Sequence, residues 1–425
     1  MSWHSAQIAK TCLKTQMRDP RREPDKPFYY VDISAIDRDL KTITSAPEIL
    51  GADAPSRARK GIKEGDILVS TVRPNLNAVA IVPPNLDGHI ASTGFCVLRP
   101  NKAVITGKYL FYFATTPNFI GILSGKVRGA HYPAVSDGSV KEIELPLPTI
   151  SEQHRIVEIL DQADALRKKR AEADAKAARI LPSLFYKMFG DPATNPRKWT
   201  IKPLGKITLG KPQYGANAGA IVWIEGMPRY VRITDITDDG RLLKTGIVTL
   251  DIEDWEPYRL VPGDLLFARS GNTVGKAYLY QQEDGLCAYA GYLIRFQVDP
   301  EQVTPWYLSA LTQTGYYKNW IETRKRVAGQ PNINGKEYAS LQIPCPPLSL
   351  QKHFMDMMES LMAFRNKRGA GAALIDRLFN LLLHRAFSGD LTSKWRKTHM
   401  QELLGEMAAQ SKMLGTTTFT IDNTK

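Results

Sequence analysis

The chain is poor in the residues that build metal centres and disulfide frameworks. Its 425 residues include four cysteines, Cys12, Cys96, Cys287 and Cys345, and seven histidines. No two cysteines form a Cys-x-x-Cys pair and no two histidines stand at helical ligand spacing, so neither a zinc site nor a disulfide scaffold is expected. Scattered thiols of this kind suit a reducing, cytoplasmic compartment. No uninterrupted run of apolar residues is long enough to cross a membrane, and MSWHSAQIAK at the start lacks the apolar core of a secretion signal. Neither secretion nor a membrane span is expected.

Catalytic signatures are missing as well. The sequence has no Asn/Asp-Pro-Pro-Tyr/Phe motif and no glycine-rich loop of the type methyltransferases use for their cofactor. The nearest thing to a phosphate loop is GNTVGKA, Gly271 to Ala277. It has three residues between its glycines where a phosphate loop has four, and Ala277 stands where Ser or Thr would hold magnesium. It reads as a strand-linking turn. No catalytic residue, resident cofactor or metal ligand is expected in this chain.

What is present is positive charge and a repeat. The net charge of +13 favours a polyanionic partner through a salt-sensitive attraction to phosphate. The two halves match at an offset near 198. YVDISAID from Tyr30 answers to YVRITDIT from Tyr230, and GDILVS from Gly65 to GDLLFA from Gly263. Tyr109 and Leu110 answer to Tyr307 and Leu308, Pro133 to Pro331, LPLPTISEQHRIVEIL to IPCPPLSLQKHFMDMM, and Phe189 to Phe387. Six matches in one order make this a tandem duplication.

Each copy begins with short β-branched or alternating runs, such as DILVSTV, FCVLR, DLLFA and YLIRF, that read as strands of half-buried, mixed and mostly antiparallel sheets. A proline-rich joint follows and then an amphipathic helix. Thr149 and Glu152 stand at capping-box spacing, and Ile156, Leu160, Ala163 and Leu166 form an apolar seam. The second helix has Phe354, Met358, Leu361, Leu374, Leu378, Leu381 and Leu382. The simplest arrangement is α+β, with two α/β domains separated by two antiparallel spacer helices and related by approximate two-fold symmetry. From Ser151 to a break expected at Pro182 is about 30 residues, or roughly 45 Å of helix.

Four segments combine cationic, amide and aromatic side chains as base-reading loops do, with Arg suited to guanine, Asn or Gln to adenine, and Lys to phosphate. They are TVRPNLN with Arg73, Asn75 and Asn77; KVRGAHYP with Lys126, Arg128, His131 and Tyr132; ARSGNTVGK with Arg269, Asn272 and Lys276; and RKRVAGQPNIN with Arg324, Lys325, Arg326, Gln330, Asn332 and Asn334. The first and third occupy matching places in the repeat, as do the second and fourth. Asn, Gly and Pro also serve to make turns, which is the plainer reading of each loop. Gln153 and Gln351 either cap their helices or face a partner. MRDPRREPDK reads as a solvated loop, Lys168 to Arg170 as a solvated helix face, and Met355, Met357, Met358 and Met362 as helix packing.

Two divergent domains, each closed by a Gln-bearing joint (PLPTISEQHRIVEIL, PPLSLQKHFMDMM) and ending in FYKMFGDP or HRAFSGDLT, resemble the specificity subunit of type I restriction-modification systems. The resemblance runs from Met1 to about Arg396. It implies two target-recognition domains at 1–148 and 196–347, a central spacer helix at 149–195 and a C-terminal one at 348–396, followed by a polar, loosely ordered tail at 397–425. It also implies a non-catalytic subunit that reads a bipartite site on double-stranded DNA. Its partners would be two modification subunits using S-adenosylmethionine and two restriction subunits using ATP and magnesium. The competing readings are a scaffold or non-specific DNA-binding protein, and a self-contained methyltransferase or nuclease.

Overall fold

The computed structural model describes residues 3–127, 133–178, 180–325 and 331–414, with backbone alone at 177–178, 362–370 and 372–373. Four of its helices are α1 (Ile150–Ala178), α2 (Ile180–Phe189), α3 (Leu348–Ser388) and α4 (Met400–Leu414). The chain divides into two compact units, residues 1–171 with 371–425 and residues 172–370. The division falls inside both α1 and α3. Each unit therefore keeps the beginning of one long helix and receives the end of another.

The first unit has a four-stranded sheet in the order Cys12–Leu13, Phe95–Pro100, Ile67–Ser70, Val79–Ile81, and a second in the order Glu48–Leu50, Pro27–Val31, Ile90–Ser92, Ala58–Gly61. The second unit repeats the pattern with Thr208–Tyr214, Leu293–Val298, Asp264–Ala268, Ala277–Leu279 and with Gly219–Val222, Val248–Asp251, Arg229–Val231, Cys287–Tyr289. Among the described strands pairing is antiparallel except where Pro27–Val31 meets Ile90–Ser92 and Arg229–Val231 meets Cys287–Tyr289. These are the expected mixed, mostly antiparallel sheets.

Period-2 side-chain alternation lets one strand serve two cores. Ile67 and Val69 pack with Tyr109, Phe113 and Leu160, whereas Leu68 packs with Val31 and Phe95. In the second unit Leu265 and Phe267 pack with Tyr307 and Phe354, and Leu266 with Val231 and Tyr289. The Gly-Asp pair that opens each strand is a turn device. Gly65 and Gly263 are left-handed, at φ 79° and 93°, where a side chain would be strained. The carboxylates of Asp66 and Asp264 accept the backbone N–H of Lys63 and Val261. Asp66 also receives both ends of the Arg99 guanidinium, at 2.8 and 2.7 Å. Burial raises the pKa of Asp264, while the Val261 N–H and Arg295 oppose that shift.

The proline joints are built alike. Tyr109 donates its hydroxyl to the Pro146 carbonyl at 2.7 Å, and Tyr307 donates to that of Pro344. Beyond the joints, Ile156 and Leu160 of α1 pack with Phe379, Leu383 and Ala386 of α3. Arg167 pairs with Asp376 at 2.9 Å and lies over the Phe379 ring. Rising numbers on α1 thus meet falling numbers on α3, so the two run antiparallel in this unit. In the second unit Leu181, Phe185 and Phe189 of α2 pack with Phe354 and Met358 of α3. Phe189 closes edge-on against Tyr307 at 4.8 Å between ring centres, and Phe387 meets Tyr109 at 5.1 Å. The end of each repeat's helical run thereby completes the core beneath the other repeat's sheets.

Three expectations change. The second seam runs through Phe379, Leu383 and Ala386, while Leu374, Leu378 and Leu381 are exposed, as is Leu166 on α1. Where the break expected at Pro182 would fall, α1 is described to Ala178 and α2, which holds Pro182, from Ile180; Arg179 between them lies outside the described residues. Only half the capping box forms: Thr149 accepts the Glu152 N–H at 3.3 Å. The buried Glu152 carboxylate instead receives Trp3 Nε1, Thr392 Oγ1 and Arg396 Nε at 2.9, 2.6 and 2.8 Å. Finally, the segment after Arg396 is helical through Leu414. Leu403 and Met407 are buried there, Gln410 donates to the carbonyls of Val104 and Pro148, and Glu406 accepts the Ser151 N–H.

Truncating Phe189 to alanine leaves a void beside Tyr307 and is expected to cost about 3–5 kcal/mol. Hydrogen exchange checks where the loss falls. Protection should drop in the second unit, including Pro305–Leu311, and persist in Gly107–Thr115 of the first.

Candidate nucleic-acid interface

In each unit the strand after the Gly-Asp turn runs out into a tight loop that a second loop joins through backbone bonds. In the first unit Val72 bridges to Ala134, Arg73 donates its N–H to the Pro133 carbonyl at 2.8 Å, and the Val135 N–H goes to Thr71. In the second, Ser270 bridges to Asn332, the Gly271 N–H reaches Pro331 at 3.1 Å, and the Ile333 N–H reaches Arg269. The first predicted segment is thus brought to the second, and the third to the fourth, around the matching prolines.

The turns share a backbone but not a composition. Arg73 and Asn77 are left-handed, at φ 48° and 49°, and the residues 198 positions later, Gly271 and Gly275, are left-handed glycines. A non-glycine residue in this region costs roughly 1–2 kcal/mol, Asn being the better tolerated. At position 275 a Cβ would lie 2.8 Å from the Ile321 side chain, so the second unit requires glycine there.

The candidates divide by what their side chains already do. Arg73 and Asn75 are exposed on the first turn, and Lys126 is exposed at the end of helix Pro117–Gly125, 3.5 Å from Glu142. Asn77 turns inward, donating Nδ2 to the Thr115 carbonyl at 3.0 Å, with its Oδ1 buried and, among the described residues, without a hydrogen-bond partner. Arg128, His131 and Tyr132 lie outside the described residues, as do Arg326 and Gln330. In the second unit Arg269 stacks on Tyr214 at 5.0 Å and donates to Asn332 Oδ1 at 3.5 Å, and both Asn332 and Asn272 are exposed. Arg324 stacks on Trp320 at 3.7 Å, and Lys325 pairs with Glu322.

Four other candidates are occupied by the fold. Lys276 donates to the Ile236 carbonyl at 2.9 Å and pairs with Asp238. Asn334 caps helix Gly335–Ala339, accepting the N–H groups of Lys336 and Glu337 while Glu337 accepts that of Asn334. Gln153 and Gln351 are fully buried, so neither presents itself to a partner. Gln153 accepts the Thr106 N–H at 2.8 Å and donates to Pro148, and Gln351 accepts the Thr304 N–H at 2.8 Å and donates to Pro346. Each glutamine thus ties the start of a long helix to its own sheet-bearing domain.

Sequence reasoning passed over Tyr292 and Tyr214. Tyr292 is 61% exposed, and its carbonyl receives the Arg269 N–H. The signal was available as an aromatic among small residues, AYAGYL, which suits an exposed stacking platform. Among the described residues no three His, Cys, Asp or Glu side chains gather as a metal site, and no helix is long and apolar enough to cross a membrane. Burial pushes the thiols of Cys96 and Cys287 up to about 12, leaving them protonated and poor nucleophiles at neutral pH.

The family profile described as type I restriction modification DNA specificity domain matches residues 25–174, which span the first unit's paired loops and most of α1. The StySPI specificity subunit of Salmonella potsdam is 24% identical over 345 residues, covering 74% of this chain and 72% of that one. The EcoKI specificity subunit of Escherichia coli K12 is 25% identical over 339 residues, with the same coverage. A chain solved in a study of complex assembly and conformational transition of the type I R-M system superposes with a TM-score of 0.55. It is 29% identical, covering 92% of this chain and 98% of that one. This chain belongs to the specificity subunits of type I restriction-modification systems. In such a subunit the pairing of loops at Pro133 and Pro331 gives two frames, each with its own set of outward side chains.

A specificity subunit carrying Asn334→Ala should lose about 1 kcal/mol of stability, the usual cost of an N-cap, with an unchanged base preference. Thermal denaturation and selection from a randomised duplex pool check both parts.

Proposed function

We propose that this specificity subunit reads a bipartite, asymmetric DNA site, one half with each unit, and performs no chemistry itself. The observation that carries the proposal is the pair of stitched loops. They occupy the same place in both units and present Arg73 and Asn75 in one, and Arg269, Asn272, Asn332 and Tyr292 in the other. Arginine and asparagine hydrogen-bond guanine and adenine edges in the major groove, and unlike loops on like frames select unlike sequences. The net charge of +13 adds the attraction to phosphate that brings either loop within reach.

The long helices set the distance between the half-sites and carry the modification subunits. The leucines exposed at 374, 378 and 381 line one face of α3 at helical spacing, an apolar stripe of the kind that partners cover. Methyl transfer with S-adenosylmethionine and ATP-driven cleavage with magnesium belong to the partner subunits.

Mapping of methylated adenines in DNA from cells expressing the chain with its modification subunit tests this reading, with a split, asymmetric motif as the expected result. Arg269→Ala should relax one half of the motif by about 1–3 kcal/mol per base pair contacted and leave the other half intact. Four residues inserted near Ala173 add about 6 Å of helix and should lengthen the spacer by one to two base pairs with both half-sites unchanged. A continuous palindrome, or half-sites altered by the insertion, would overturn the proposal.

A further inference from the structure

Behind each reading turn stands a short hairpin, and a lysine joins the two. In the first unit the hairpin pairs Ile36–Asp37 with Thr42–Ile43, and its Lys41 extends Nζ to the Asn77 carbonyl at 2.5 Å. In the second, Ile236 bridges to Leu242, and Lys276 reaches back from the turn to the Ile236 carbonyl at 2.9 Å. The strut runs from hairpin to turn in one unit and from turn to hairpin in the other. The same two elements are joined by different residues in the two units.

The backbone around the first strut is unusual. Lys41, Arg73 and Asn77 are all left-handed; the second unit has Gly271 and Gly275 at the places of Arg73 and Asn77, and a left-handed glycine, Gly240, in its own hairpin turn. The first unit thus holds three side chains in a conformation its sister reaches without strain. Lys41 and Asn77 form one connected cluster: Lys41 donates to the Asn77 carbonyl while Asn77 Nδ2 donates to Thr115. That cluster holds the far end of the turn whose near end carries Arg73. Lys41 and Asn77 also line a cleft of about 230 Å³ together with Arg167 of α1 and Phe379 of α3.

We infer that Lys41 and Lys276 are positioning residues for base reading: each holds one reading turn at its angle to the DNA, and each governs only its own half of the site. This rests on the reading of the paired loops as the DNA-contacting surface. It assigns Lys276 a different role from the phosphate grip its sequence suggests, and it brings in Lys41, which lies outside every loop with a base-reading composition.

Burial is the main cause of a lowered pKa at Lys41, about 8, with Arg167 adding to the shift and Asp39 and Asp37 opposing it. Arg38 from its own hairpin and Asp164 from α1 face the same cleft. The ammonium of Lys41 therefore loses its charge, and the strut its charge assistance, as pH rises through about 8.

The test uses the full chain with its modification subunit and reads base preference by methylation mapping and by selection from randomised duplexes. Lys41→Met should flatten one half of the motif by about tenfold or more, with the other half within about twofold, and Lys276→Met should do the reverse. Lys41→Arg should restore the first half. The wild-type preference in that half should weaken between about pH 7 and 9, and that of Lys41→Arg should stay level across the range. Arg73→Ala and Arg269→Ala serve as controls. If they leave both halves unchanged, the reading of the loops falls and the inference with it. If they act on their halves while both lysine variants do not, or if a lysine variant weakens both halves equally, the positioning role alone is overturned.

Discussion

The ring contacts at Tyr109 and Tyr307 carry more of this structure than their size suggests. Each tyrosine is buried under its own unit's sheets and spends its hydroxyl on a carbonyl of the proline joint. The face left open is covered by a phenylalanine from the far end of the other repeat's helical run, Phe387 on Tyr109 and Phe189 on Tyr307. Aromatic side chains of this size dominate core energetics. Neither repeat therefore completes a core from its own sequence alone, and duplication in one chain supplies what each copy lacks.

That requirement explains where the helices are held and where they are not. Gln153 and Gln351 bond the start of each long helix to the turn that begins the helix carrying Tyr109 or Tyr307. Glu152 adds a buried charge at the same end of α1, satisfied by Arg396, Thr392 and Trp3. A buried carboxylate with three donors is costly to leave unpaired, at about 3–5 kcal/mol when one charged partner is removed. The residues anchoring this helix start thus come from three distant parts of the chain.

The same rigid frame carries the surface assigned to DNA. Strands whose side chains alternate between two cores cannot shift register without exposing both sets, so the turns at their ends leave from fixed points. On these turns the two units diverge. The first accepts left-handed Arg73 and Asn77, while the second uses glycines and places a stacked Arg269–Tyr214 pair beside them. Strain at Arg73 is tolerated where the surrounding hydrogen bonds over-determine the backbone, and here the Pro133 carbonyl, the Lys41 strut and Thr115 do so.

The order of elements, the duplication, the mixed sheets and the four loops of base-reading composition were legible in the sequence because they depend on local pattern and spacing; that the loops meet in pairs at Pro133 and Pro331 was not. The Gly-Asp turns, the proline joints and the GNTVGKA turn are local in the same sense. Residue type could not reveal which side chains on those loops remain free. Asn77, Lys276 and Asn334 have the composition of base readers, yet each is engaged by a group distant in sequence or by a cap beside it. The apolar face of α3 was ambiguous for a related reason: leucines at 374, 378 and 381 and the set Phe379, Leu383 and Ala386 both recur at helical spacing, and only packing decides which is inward. Sequence alone determined that one frame is written twice with different loops. Tertiary structure decided which repeat's helix closes which core and which polar groups are left to meet a ligand, because burial and hydrogen-bond satisfaction are set by neighbours that the local chain does not contain.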